Sequence, residues 1–106
     1  MIKLFNSTAE LEAAFQKSTI RRLRIGDKVF CLIKYKEAYH LVDGLCPHQK
    51  QPLHTGQLNA FGEIICPLHF YRFNLITGKE ANHLCRDLEI FQLKIDSSGV
   101  YAKFRQ

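Results

Sequence analysis

All three prolines of the 106-residue chain, Pro47, Pro52 and Pro67, lie within or beside two short segments that each carry a cysteine and a histidine. The segments are Cys46-Pro47-His48 and Cys66-Pro67-Leu68-His69, with residues 49–65 between them. Proline fixes φ and donates no backbone hydrogen bond, so these segments read as rigid loops rather than strands. Two stiff loops, each offering one thiol and one imidazole, constrain the fold to one that can present both together. That is what a metal site needs.

The rest of the chain supplies the scaffold. The length suits one domain, residues 1–106. Ser7-Thr8-Ala9-Glu10 fits a capping box, with Ser7 as N-cap and Glu10 reaching back. Leu11, Ala14 and Phe15 follow at helical spacing, so a short helix is expected near 8–17. Val29-Phe30-Cys31-Leu32-Ile33 is a continuous apolar run, as in a strand buried on both faces. Further strands are expected at 39–42, 61–65 and 88–95, with a bulge where alternation breaks at Phe91. Asp96-Ser97-Ser98-Gly99 reads as a hairpin turn into a last strand. There Val100, Ala102 and Phe104 alternate with Tyr101, Lys103 and Arg105. Short strands this closely spaced imply a mainly β fold, a small antiparallel sandwich or barrel with one N-terminal helix.

Fifteen basic against ten acidic residues give a net charge of +5. The densest cluster, Arg21, Arg22, Arg24 and Lys28, is broken by Leu23 and Ile25 and reads as one solvated strand face. No basic recognition helix or aromatic–basic RNA signature is present, so no nucleic-acid partner is expected. No run approaches the roughly 20 apolar residues of a membrane span, and the first residues show no signal-peptide pattern. The expectation is a cytoplasmic protein without a membrane partner, in which disulfides are disfavoured.

Two cysteines and two histidines could close a tetrahedral zinc site, making the chain a zinc-stabilised interaction module. They could instead hold a [2Fe–2S] cluster, with both cysteines on one iron and both histidines on the other. Cys31 and Cys85 read as structural, Cys31 because it sits in the apolar run. His40, His54 and His83 read as ordinary loop or strand histidines, His54 on the surface or in a loop hydrogen bond.

The pattern C-x-H, spacer, C-x-x-H resembles the Rieske iron–sulfur family. Pro52-Leu53 with Gly56-Gln57-Leu58, and Phe73-Asn74-Leu75-Ile76-Thr77-Gly78, are similar to further segments of that family. The resemblance covers residues 40–80 and implies ligand loops at about 44–56 and 66–78. It implies Cys46, His48, Cys66 and His69 as ligands of one [2Fe–2S] cluster, on a fold of three small antiparallel sheets. The implied role is a non-catalytic one-electron carrier, taking electrons from a flavin reductase and passing them to an oxygenase or another reductase. A small subunit of a nitrite-reductase-like assembly is the alternative within redox chemistry. Gln51 and Leu68 stand where high-potential members have a cysteine pair, and Phe73 where they have a tyrosine hydroxyl. The chain therefore resembles the low-potential, ferredoxin-like branch. Lys50 and Phe70 depart from the family by occupying positions that usually hold glycine, and Lys50 with Arg72 adds positive charge near the loops.

Overall fold

The computed structural model describes residues 1–104. Nine strands and one helix follow in the order β1 (Ile2–Phe5), α1 (Thr8–Ala13), β2 (Ile20–Ile25), β3 (Lys28–Tyr35), β4 (Ala38–Asp43), β5 (Gln57–Leu58), β6 (Glu63–Ile65), β7 (Arg72–Asn74), β8 (Ile90–Asp96) and β9 (Gly99–Lys103). The fold is mainly β and antiparallel, as the strand pattern implies. Two sheets are hydrogen-bonded, one in the order β1-β9-β8-β4-β3-β2 and one in the order β5-β6-β7. The larger is two three-stranded halves joined by a short β4–β8 contact, Leu41 opposite Phe91 and Val42 opposite Ile90.

The apolar run of β3 is buried on both faces because it lies between two cores. Phe30 and Leu32 face a core completed by Leu11, Phe15, Leu41, Val100 and Ala102. Cys31 and Ile33 face the other, which holds Cys46, Cys66, Leu53, Ile64, Phe73 and Leu75. Side chains alternate across a strand, so consecutive residues feed opposite cores. Phe91 and Phe104 are half-buried and pack edge-on or tilted against Phe30 at 5.1 and 5.4 Å between centroids.

The same reason removes the bulge expected at Phe91. Ile90 packs on the core that holds Cys46 and Cys66 and Phe91 on the other, with unbroken pairing from Gln92 to Asp96 against β9. Alternation breaks because both faces are covered there. The register shift occurs instead in β1, between Lys3 and Phe5.

Helix α1 is shorter than its apolar spacing suggests. Ser7 Oγ accepts the Glu10 N–H at 3.1 Å, while the Glu10 carboxylate reaches the N–H of Asn6, one residue beyond Ser7. The helix ends at Ala14, and Ser18 then bonds locally with Ile20 to start β2. Burial of Leu11 and Phe15 gives this single turn and a half its tertiary anchor.

Strand β2 is a sheet edge whose Arg21, Arg22 and Arg24 are exposed, and Lys28 pairs with Asp43 and Glu89 at 3.6 Å each. Edge arginines discourage pairing with another chain. The outward position expected of Arg105 lies outside the described residues. Among those described, no helix is long and apolar enough to cross a membrane.

Candidate metal centre

The two cysteine–histidine loops are closed in the same way. Cys46 N–H donates to the carbonyl of Gln51, and Cys66 N–H to that of Tyr71, each at 2.8 Å and each to the fifth residue on. One step outside, Leu45 bridges Pro52 and Ile65 pairs with Arg72. Each loop is thus a tight hairpin with its cysteine at the entrance and its histidine at the turn.

That closure fixes where the donors go. Cys46 and Cys66 are each 1% exposed, both thiols are free, and both lie in the same core. Burial pushes the Cys66 thiol up to about 11, opposed by a backbone hydrogen bond at Leu68 and reinforced by Cys46. Bound metal supplies the positive charge that such a thiolate needs. The imidazoles emerge at the surface, His48 half-buried and His69 exposed, with ring centroids 5.4 Å apart.

Tight turning also explains the two departures from glycine. Lys50 and Phe70 each hold the fourth position after the cysteine with φ of 55° and 57°, and His69 has φ of 65°. Both loops take the left-handed backbone that glycine would give without strain. Phe70→Gly and Lys50→Gly are each expected to raise stability by about 0.5–1 kcal/mol. Urea unfolding of the loaded protein checks this, and a loss of stability would show that their side chains support the turns.

Tyr71 acts on an imidazole. Its ring stacks on His48 at 4.2 Å and 17°, and its hydroxyl lies 3.4 Å from His48 Nε2. Arg72 is engaged by Glu63 at 3.7 Å, so its charge is partly committed to the sheet. Arg86 shares with Lys50 and Cys46 a groove of about 460 Å³. Nothing in the local sequence around Arg86 signals this.

Cys31 is fully buried, and burial first, then Asp43, pushes its thiol up to about 12, as suits a core residue. Cys85 is half-buried against the core that contains both loop cysteines. His40 is half-buried, which lowers its pKa, opposed by a backbone hydrogen bond with Leu75. His54 sits on a 3₁₀ turn, Leu53–Thr55, with Nδ1 buried and unpartnered among the described residues. His83 is exposed.

The sequence model of the Rieske [2Fe–2S] domain matches residues 7–91. The chain belongs to the Rieske [2Fe–2S] family. It is 33% identical over 76 residues to the ferredoxin component of the alkene monooxygenase system of Xanthobacter autotrophicus, a match covering 72% of this chain and 62% of that protein. It is 30% identical over 89 residues to ferredoxin CarAc of Metapseudomonas resinovorans, covering 81% of each. Among solved structures, a chain from the complex of reduced oxygenase and oxidised ferredoxin in carbazole 1,9a-dioxygenase superposes with a TM-score of 0.77. That match has 26% identity and covers 96% of this chain and all of that one.

A Rieske protein carries one [2Fe–2S] cluster, and the donor set fits it. A single zinc needs its ligands to converge within about 2.0–2.3 Å of one point. The donors are instead grouped as a buried thiol pair and a surface imidazole pair, which suits two irons with different ligands.

Proposed function

We propose that this chain is a one-electron carrier in which Cys46 and Cys66 hold one iron, His48 and His69 hold the other, and the acceptor is an oxygenase. The observation that carries this reading is the pair of matched loops, which bury two thiols and expose two imidazoles on one side. When bound, the cluster supplies one-electron chemistry at a higher potential than an all-thiolate [2Fe–2S] centre.

The chain's own residues do the rest. Leu53, Ile64, Phe73 and Leu75 exclude water from around the thiols. His48 and His69 bring the centre to the surface, where the path to a partner is short. Tyr71 fixes the plane of the His48 ring. Lys50 and Arg86, both exposed, give this end positive charge that suits an acidic rim on the partner. Support for an oxygenase as acceptor comes from the likeness to ferredoxins of oxygenase systems, one of them in complex with its oxygenase. The donor in this reading is a flavin reductase.

Anaerobically purified protein is expected to contain iron and acid-labile sulfide in equal amounts. Stopped-flow mixing should show reduction by a flavin reductase and reoxidation by an oxygenase of an acidic docking face. Protein lacking sulfide, or fully reduced protein that no such oxygenase reoxidises, would overturn the reading.

Charge steering gives a further expected result. Rates with the acidic partner should fall several-fold as ionic strength rises, because the Debye length is about 10 Å at 0.1 M and shortens with salt. Lys50→Glu should slow the low-salt rate further and flatten its salt dependence. A rate indifferent to both salt and Lys50→Glu excludes steering by this face.

A further inference from the structure

Glu80 is the one acidic side chain that the fold places in its interior, at 1% exposure among the described residues. It forms an antiparallel bridge with Phe73, and the next residue, Ala81, donates to the carbonyl of Arg72 at 2.9 Å. Bridge partners project to the same side of a sheet. Phe73 is fully buried in the core that contains Cys46 and Cys66, so Glu80 enters that core too. Arg72 in turn pairs with Ile65, the residue before Cys66. Two strand spacings therefore separate the backbone at Glu80 from the strand that leads into Cys66, roughly 10 Å.

The carboxylate is held but only half satisfied. Oε1 accepts the N–H groups of Leu84 at 2.7 Å and Asn82 at 3.0 Å. Oε2 is buried with no hydrogen-bond partner, and no ion pair is formed, among the described residues. A neutral glutamine would serve the same two N–H groups, and an apolar residue would fill the space, so loop closure alone does not call for a charge. Cys85, packed against the same core, feels both ends of the arrangement. Burial pushes its thiol up, and Cys46 and Glu80 add to that push.

We propose that Glu80 is a potential-setting residue, an uncompensated anion built into the ligand-side core that favours the oxidised cluster. The inference rests on the cluster being held by Cys46 and Cys66. One electron enters the cluster from the donor protein, and no bond is made or broken at Glu80. The negative charge added on reduction is repelled by the carboxylate through a medium of low dielectric.

The test is the midpoint potential of the loaded Glu80→Gln protein by protein-film voltammetry, at fixed pH and ionic strength. Removing the charge while keeping the Oε1 acceptor should shift the reduction equilibrium about tenfold toward the reduced form, equal to about +59 mV for one electron. A fully loaded Glu80→Gln protein with the wild-type midpoint overturns the proposal. Should that variant not load, infrared difference spectra of the wild type labelled with ¹³C-glutamate decide it. A carboxylate band that moves on reduction supports the proposal, and none moving overturns it. Failure of the underlying ligand reading shows separately, as Cys46→Ser or Cys66→Ser protein that keeps its [2Fe–2S] cluster.

Discussion

Cys46→Ser and Cys66→Ser proteins are expected to purify without colour, and His48→Ala and His69→Ala to lose nearly all cluster iron, while Cys31→Ala and Cys85→Ala stay coloured. The contrast follows from position. Cys46 and Cys66 stand at the entrances of the two matched loops, each with its N–H bonded across the loop. His48 is half-buried and His69 exposed, so in the proposed ligand set their removal would leave iron positions open to water. Cys31 shares the same core but lies on β3, and shortening it to alanine removes one buried sulfur, at a cost of about 1–2 kcal/mol. Cys85 is half-buried beside the core and belongs to neither loop. Metal binding and folding are linked, so the four ligand variants should also melt earlier. Iron and sulfide analysis with thermal unfolding checks each protein. Cys31→Ala or Cys85→Ala emptying the site as thoroughly as Cys46→Ser would refute the ligand assignment.

Gly78→Ala and Gly56→Ala should each cost on the order of 3–5 kcal/mol, a large part of the 5–15 kcal/mol typical of a domain. Gly78 has φ of 79°, which glycine adopts freely, and a Cβ there would collide with the carbonyl of Leu88. That carbonyl cannot retreat easily, because the Leu88 N–H is bonded to the Gly78 carbonyl at 2.7 Å. Gly56 has ordinary φ, so its case is purely one of space. A Cβ would press on the carbonyl of Ile65, immediately before Cys66. Ile65 immediately precedes Cys66, so the damage should extend to cluster retention. Urea unfolding measures both, and a loss below about 1 kcal/mol would show that the backbone yields at these points.

The two cysteine–histidine pairs, their spacing and the rigid character of their segments are all local properties, and the residues alone declare them. So does the strand nature of Val29–Ile33, because an unbroken β-branched and aromatic run has few other uses. The β fold class follows from strand spacing, and the N-terminal cap from Ser7 and Glu10. What the sequence could not declare depends on chain segments far apart meeting. The pattern at Phe91 reads as a bulge until a second core is seen covering the opposite face at Ile90. Tyr71 gives no local sign that its ring will lie on His48, 23 residues away in the chain. Lys50 and Phe70 depart from glycine in sequence, yet hydrogen bonds from each cysteine to the fifth residue on hold both in glycine's conformation. Arg86, Cys85 and Glu80 occupy a stretch with no motif, and the Glu80–Phe73 bridge with the Ala81–Arg72 hydrogen bond brings that stretch against the second cysteine–histidine loop. The candidate ligand set is a matter of residue type and spacing. The charges and rings around it were decided by packing, because electrostatic and stacking forces act through space and are indifferent to order along the chain.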